Sequence, residues 1–141
     1  MGNKFGCLGE NKSPQLYWEN APEGTASFAI TMYDKDAPIG SGFWHWIIYN
    51  IPANIFELKE DAGNFSQQNL PKIAINGTNN GGLPGYIGPC PPAGQSHLYL
   101  ITLYALKTTL MLDKTTSAAM TGFILNANSL GKSTIAIYGE Q

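Results

Sequence analysis

The sequence has 141 residues, of which 43% are hydrophobic and only 13% are charged. This length suits one domain spanning residues 1–141, and the apolar content is enough to build a substantial core. A formal net charge of −2 gives no basic surface of the kind that nucleic-acid binding requires. The longest apolar run, residues 98–106, is far too short to cross a membrane.

Strand patterns dominate when the chain is followed in order. Residues 16–18 predict a short early strand, and residues 27–33 are rich in β-forming side chains with partial alternation. Residues 43–51 form a continuous apolar and aromatic run, which is typical of a strand buried on both faces. Residues 97–106 and residues 133–138 predict two further strands.

Between the strands the sequence predicts one long loop and one helix. Residues 62–94 are rich in Gly, Asn and Pro, and their apolar side chains favour an ordered, functional loop. A helix is predicted over residues 117–128 with Ser117 as its N-cap. Its apolar face is expected to contact the core through residues at helical spacing: Met120, Phe123 or Ile124, Ala127 and Leu130.

The segment DKDAPIGSGFWHW, residues 34–46, combines two acids with one of only two histidines. Turn chemistry before a proline is the simpler explanation of Asp34 and Asp36 taken alone. In extended backbone, however, the two carboxylates point to the same side. His45 fits either a hydrogen-bonded core residue or a partner of Asp34 across the short connection, with its pKa raised by the carboxylate.

A second polar segment, GYIGPCPPAGQSHLY, spans residues 85–99. Its Gly-Pro-Cys-Pro-Pro core is stiff and poor in donors, so the few remaining N–H groups are held in fixed directions, as in anion sites. His97 follows directly, at the start of a strand. Cys90 pairs with Cys7 in a disulfide or remains a buried thiol, and the residues alone leave both alternatives open.

Together, these two segments resemble the phosphatidylethanolamine-binding protein family, in particular its bacterial and archaeal Raf-kinase-inhibitor-like branch. The resemblance implies a mainly β fold with a large central antiparallel sheet, a smaller second sheet and one or two peripheral helices. It also implies a small pocket for phosphate-type head groups at one end of the sheet. Position by position, it assigns to that pocket Asp34, Asp36, His45, Tyr86, Gly88, Pro91, His97 and Tyr99.

The resemblance carries three further expectations. It implies a cis peptide between Ala37 and Pro38, and it favours a disulfide between Cys7 and Cys90. The chain begins close to the FGC stretch, which leaves two alternatives open: the sheet lacks an N-terminal strand, or the N-terminus has been trimmed. Localisation therefore stays open: cytoplasmic as the sequence is written, or periplasmic or secreted if the N-terminus has been trimmed.

We expect a non-enzymatic protein that binds small anions or phosphate-type head groups without a cofactor. In this hypothesis His45 and His97 supply cationic donors, an aspartate orients one imidazole, and Tyr86 and N–H groups near Gly88 complete the site. The first alternative is a protease or kinase inhibitor that acts on its protein partner through residues 86–94. A second alternative is a metal-dependent enzyme with two histidines and a carboxylate as ligands.

Overall fold

The structure is a computed structural model that describes residues 1–3, 5–113 and 115–141. Within these ranges a five-stranded antiparallel sheet has the order β5-β3-β2-β6-β7, and a two-stranded sheet pairs β1 with β4. The predicted mainly β fold with a large and a small sheet is therefore confirmed. In chain order the elements are β1 Leu16–Tyr17, β2 Ser27–Asp34, β3 Phe43–Pro52, β4 Glu57–Leu58, β5 Ile75–Asn76, β6 Ser96–Leu106, α1 Ala118–Asn128 and β7 Ser129–Glu140.

Neighbouring side chains of a strand point to opposite faces of the sheet. In the central strands both sets of side chains are buried, each in an apolar cluster of its own. On one face, Phe28 and Trp46 belong to a large apolar cluster that also includes Trp18, the residue after β1. On the other face, Ala29 and Ile47 belong to a second cluster beneath the helix. Each fully buried large side chain contributes about 1.5–3 kcal/mol.

The helix begins as predicted, but of its predicted apolar face only Ile124 packs against the core, where it is partly buried. Ser117 caps the helix by accepting a hydrogen bond from the Met120 amide at 3.2 Å. The prediction that Met120 and Phe123 lie in the core is wrong, because they are 51% and 70% exposed. A Cβ on Gly122 would lie only 2.8 Å from the ring of Trp44, so the helix contacts the sheet through its small side chains. The buried residues of the helix are Ala118, Thr121, Gly122 and Leu125.

The long Gly/Asn-rich loop is held in place by buried asparagine side chains. Asn79 donates to the Gly85 carbonyl at 2.9 Å and accepts from the Gly81 amide at 2.8 Å. Asn76 accepts a hydrogen bond from the indole N–H of Trp46 at 2.9 Å. Buried polar groups need hydrogen-bond partners. In this loop the asparagine side chains supply partners that strand pairing would otherwise provide.

The implied cis peptide is wrong, because the bond between Ala37 and Pro38 is trans. The Ile39 amide donates to the Ala37 carbonyl at 2.7 Å, which closes a three-residue turn centred on Pro38. Such turns need a central φ near −75°, and the proline ring already fixes a φ close to this value. The sharp turn is therefore made without a cis bond.

The N-terminal segment lies against the proline-rich loop. A disulfide joins Cys7 to Cys90, with their Cα atoms 5.9 Å apart. The Gly2 amide donates to the Pro89 carbonyl at 2.8 Å, and further hydrogen bonds link residues 1–11 to this loop. In the described part of the chain, no helix is long and apolar enough to cross a membrane.

Candidate functional site

Asp34 is the centre of a buried polar cluster at the end of β2. The β2–β6 register places Asp34 opposite Tyr99, and His97 lies two residues earlier on the same face of β6. The His97 Nδ1–H donates to Asp34 Oδ2 at 2.8 Å. Asp34 Oδ1 accepts from the Asp36 amide at 2.9 Å, so both carboxylate oxygens already have partners. Asp34 is therefore placed to orient His97.

His45 lies on the neighbouring strand β3, where its ring is fixed by the proline-rich loop. Its Nδ1 is 2.7 Å from the Ile87 carbonyl oxygen. Because a carbonyl oxygen can only accept, Nδ1 carries the hydrogen and Nε2 of the neutral ring has a free lone pair. The Ile87 amide in turn donates to the His45 carbonyl at 2.9 Å, which ties the loop to the strand.

The predicted pairing of His45 with Asp34 is corrected by this geometry. His45 Nε2 is 4.0 Å from Asp34 Oδ2, whereas His97 makes the direct hydrogen bond. Burial lowers the pKa of His45, and this cost of desolvation outweighs the attraction of the nearby carboxylate. The expectation of a raised pKa is therefore wrong, and without a bound anion His45 is neutral near pH 7.

A cavity of about 560 Å³ lies in front of this cluster. Most of its lining is apolar, and the polar atoms concentrate at the end formed by the two histidines and Asp34. Burial, assisted by the Asp34 carboxylate, raises the pKa of Tyr99, so its side chain remains a neutral hydroxyl. Five of the predicted site residues line the cavity: Asp34, His45, Pro91, His97 and Tyr99.

Asp36 lies beside the cluster but does not line the cavity. Its carboxylate accepts from the Leu98 amide at 2.9 Å and lies 3.6 Å from the ammonium of Lys35. The hydrogen bond from Leu98 lowers the pKa of Asp36, with a smaller contribution from Lys35. Asp36 thus fixes the turn after β2 to the start of β6.

Tyr86 and Gly88 also lie outside the cavity lining. Tyr86 belongs to the core and packs edge-on against Trp46, and burial raises its pKa to about 12. The Gly88 amide donates to Asn11 Oδ1 at 2.8 Å, so this N–H group already has a partner. A Cβ on Gly88 would approach the backbone nitrogen of Gly2 to 2.6 Å, so glycine is needed where the N-terminal segment crosses the loop.

Several lining residues were not predicted from the sequence. Phe43 could have been found, because it lies two residues before His45 and therefore on the same face of β3. Gln141 reaches the cavity only because β7 pairs with β6 in a register that no local pattern shows. The unpredicted lining residues are Phe5, Ala37, Pro38, Ile39, Phe43, Ile87, Cys90, Pro92, Ala93 and Gln141.

The contacts of the cluster also bear on the metal alternative. In residues 1–3, 5–113 and 115–141, no group of three or more His, Cys, Asp or Glu side chains is arranged to hold a metal ion. His97 Nδ1 and Asp34 Oδ2 bond to each other, and His45 Nδ1 bonds to a carbonyl. Cys90 has no free thiol because it is bonded to Cys7. What the arrangement offers is an apolar cavity with an imidazole nitrogen available at its polar end.

Comparison with known proteins gives a consistent assignment. The sequence profile of the phosphatidylethanolamine-binding protein family matches residues 1–139. Escherichia coli YbcL is 47% identical over 133 residues, covering 93% of this chain and 73% of YbcL. Escherichia coli YbhB is 39% identical over 94% of this chain and 84% of YbhB. An archaeal relative from Methanothermobacter thermautotrophicus is 40% identical over 91% of this chain and 85% of its own length.

The fold agrees with the sequence match. The crystal structure of Escherichia coli YbcL, described as a new member of the mammalian PEBP family, superposes with a TM-score of 0.96 at 45% identity. The superposition covers 99% of this chain and 87% of the YbcL chain. With family profile, relatives and fold in agreement, the chain belongs to the phosphatidylethanolamine-binding protein family.

Proposed function

We propose that this protein binds phosphate-type anionic head groups in the cavity beside Asp34, without catalysing a reaction. The observation that carries the proposal is the buried arrangement of two imidazoles around one carboxylate at the polar end of an otherwise apolar cavity. Buried titratable groups of this kind are costly, and they concentrate at functional sites. Membership of the phosphatidylethanolamine-binding protein family supports the same class of ligand.

Among the residues of the site, His45 is expected to contribute most to anion binding. Its Nδ1–H is committed to the Ile87 carbonyl, whereas Nε2 has no hydrogen-bond partner among the described residues. A phosphate dianion beside Nε2 favours the protonated ring, which then donates a charge-assisted hydrogen bond to the phosphate. Binding is therefore coupled to the uptake of a proton by His45.

His97 and Tyr99 complete the polar end of the site. Asp34 Oδ2 accepts a hydrogen bond from His97 Nδ1 at 2.8 Å, and His97 Nε2 lies 3.3 Å from Gln95 Oε1. The Tyr99 hydroxyl remains protonated because burial and Asp34 raise its pKa, so it keeps a hydrogen to donate. The Tyr99 hydroxyl is therefore a further donor for an anion near His45, and His97 forms the adjacent wall of the site.

The apolar part of the cavity indicates a ligand with an organic substituent. A volume of about 560 Å³ lies within the range of small-molecule sites and is much larger than one phosphate needs. Phe43, Ile87 and Pro91 offer apolar contact to whatever the phosphate is attached to. We therefore infer a phosphomonoester or phosphodiester head group as the class of ligand.

A second candidate is inhibition of a protease or kinase through the rim of the same cavity. Phe5 and Ile39 lie on this rim and are 84% and 50% exposed. Exposed aromatic and aliphatic side chains around a pocket are typical of surfaces that bind proteins. A panel of purified proteases and kinases tests this candidate, and the absence of inhibition at micromolar protein would remove it.

Isothermal titration calorimetry with O-phosphoethanolamine and with sulfate tests the main proposal. Sulfate stays dianionic across the neutral range, so any pH dependence of its binding arises from the protein. Since burial lowers the pKa of free His45 and the anion raises it, affinity falls as pH rises from the pKa of the free ring towards the pKa of the ring in the complex, and it levels off above that. The slope approaches about tenfold per pH unit for uptake of one proton.

Two matched tyrosine variants separate the cavity from the core. Tyr99→Phe removes a hydroxyl at the cavity and is expected to weaken binding about 5- to 10-fold, the value of one hydrogen bond. Tyr86→Phe removes a hydroxyl outside the cavity lining and is expected to leave affinity unchanged. Binding of both anions that is independent of pH, or equal losses in the two variants, would contradict the proposal.

A further inference from the structure

A second cavity, of about 450 Å³, lies beside β5 and shares no lining residue with the anion site. Tyr49 lines it from β3, and the strand register places Ile75 of β5 directly opposite Tyr49. The loop that follows β5 contributes Thr78, and the segment before α1 contributes Asp113 and Thr116. The volume lies within the range of small-molecule sites.

The hydroxyl of Tyr49 is the feature of this cavity that the fold itself does not explain. The Tyr49 side chain is only 5% exposed, and it belongs to the apolar cluster beneath the helix. Burial raises the pKa of Tyr49, and no hydrogen bond from a described residue reaches its hydroxyl. Among the described residues, Trp18 Nε1 is the only fully enclosed side-chain polar atom without a partner, so the Tyr49 hydroxyl opens into the cavity. Buried tyrosine hydroxyls normally have a partner, and here one has to come from outside the protein.

Other polar side chains of the lining are also uncharged and available. Gln67, Thr78 and Thr116 make no side-chain hydrogen bond to a described residue. Asp113 is the only charged group in the described lining, and one of its carboxylate oxygens already accepts from the amide and the hydroxyl of Thr115 at 2.7 and 2.6 Å. The carboxylate repels anions, and because it is exposed it attracts cations only weakly. The lining therefore favours an uncharged ligand with several hydrogen-bonding groups.

Hydrogen bonds hold the walls of this cavity in place. Asn50 of β3 bonds both the amide and the carbonyl of Leu110 at 2.8 Å, which anchors the segment before the helix to the sheet. In the loop after β5, Thr78 pairs with Pro84 in an isolated bridge. A site whose walls are already ordered loses less conformational entropy when a ligand binds.

We propose that this cavity binds a neutral polyhydroxylated ligand of the sugar class. A hydroxyl group both donates and accepts, which suits the hydroxyls of Tyr49, Thr78 and Thr116. The carbon–hydrogen faces of such a ligand contact Ile75 and Leu112, which supply the apolar part of the lining. Because the two cavities share no residue, the ligand of this site does not compete with phosphate at the anion site.

Saturation-transfer NMR with D-glucose, D-galactose, N-acetyl-D-glucosamine and maltose tests the proposal. At least one of these sugars is expected to bind at millimolar concentration, and O-phosphoethanolamine should not displace it. Tyr49→Phe is expected to weaken that binding about 5- to 10-fold, the value of one hydrogen bond. Tyr104→Phe is the matched control, because Tyr104 is also 5% exposed and belongs to the same cluster but does not line the cavity. Its affinity for the sugar should equal that of the wild type.

Thermal unfolding separates a ligand-binding role of Tyr49 from a structural one. Without sugar, Tyr49→Phe should unfold at the same temperature as the wild type or higher, because the hydroxyl that it removes has no partner in the free protein. The sugar should raise the unfolding temperature of the wild type more than that of the variant.

Three results would overturn the proposal. The first is that none of the four sugars binds, which would leave a cavity filled only by water. The second is an equal loss of binding in Tyr49→Phe and Tyr104→Phe. The third is binding of ethylammonium in place of the sugars, together with its loss in Asp113→Asn, because this would show that the site selects a cation. Sugar binding that Asp113→Asn leaves within about twofold of the wild type supports a neutral ligand.

Discussion

Replacing Cys7 and Cys90 together by alanine is expected to lower the free energy of unfolding by about 4–5 kcal/mol. The bridge links residues separated by 83 positions, so it encloses more than half of the 141-residue chain. In the chain-entropy treatment, a bridge stabilises mainly by restricting the unfolded chain, and the effect grows with the logarithm of the enclosed length. The expected loss follows from that length.

The folded state is expected to survive the double substitution. The Gly2 amide donates to the Pro89 carbonyl at 2.8 Å, and the Gly88 amide donates to Asn11 Oδ1 at 2.8 Å. These hydrogen bonds hold the N-terminal segment on the loop on either side of the bridge. The variant should therefore unfold cooperatively at lower denaturant concentration and should keep its native circular dichroism spectrum.

Urea denaturation of the oxidised wild type, the reduced wild type and the double alanine variant measures this effect. Reduction of the wild type should shift its midpoint to that of the variant, while reductant should leave the variant unchanged. The variant lacks both the bridge and the two sulfur atoms, whereas the reduced wild type lacks only the bridge. Comparing the two therefore separates the effect of the bridge from the effect of removing the sulfur atoms. A loss below about 1 kcal/mol would refute the reasoning, since it would mean that the bridge hardly restricts the unfolded chain.

Three other expectations concern single buried groups. The pKa of His45 in the folded protein is below its ordinary value of 6.5, so as pH falls the unfolded chain takes up this proton before the folded chain does. Thermal stability should therefore fall as pH drops below about 6.5, and it should fall less in His45→Gln. Gly85→Ala should destabilise by at least about 2 kcal/mol, because φ is +143° and a Cβ would overlap the Gly63 carbonyl oxygen. Asn50→Ala should cost about 2–4 kcal/mol, because the side chain bonds both the amide and the carbonyl of Leu110 at 2.8 Å. Thermal scans across pH and urea denaturation check these values, and a variant within experimental error of the wild type would count against its explanation.

The strands of the large sheet follow directly from local patterns, but their ends and partners do not. The run from Phe43 onward predicts β3 almost to the residue, because side chains buried on both faces leave a continuous apolar signal. The last strand starts at Ser129 and not at residue 133, because β6 offers backbone partners that extend a segment of weak β preference. Tertiary pairing here overrides local propensity.

The helix shows why periodicity alone can select the wrong face. Met120 and Phe123 repeat at helical spacing, yet the sheet presents the flat ring of Trp44, which a helix can approach closely only through glycine. Gly122 supplies that approach and rotates the larger apolar side chains outward. A pattern of hydrophobic residues carries no information on the shape of the surface that receives it.

The sequence predicts several residues that line the candidate site, but it does not predict which of them form hydrogen bonds with each other. Asp34, His45 and His97 were all identified from two short segments, and all three line the cavity. Which histidine bonds Asp34 depends on the β2–β6 register, and the partner of Gly88 is supplied by Asn11, distant in sequence. Neither relation has a local signal, so the hydrogen-bond pattern that sets the chemistry comes only from the fold.

The most direct test of the proposed anion site is nitrogen NMR of protein labelled in its histidines. The chain contains only two histidines, so each ring gives a separate and assignable set of signals. At neutral pH and without ligand, His45 should show the neutral form with hydrogen on Nδ1. Saturation with O-phosphoethanolamine should convert His45 to the doubly protonated ring. Binding that leaves the His45 nitrogens in the neutral form would contradict the proposed mechanism.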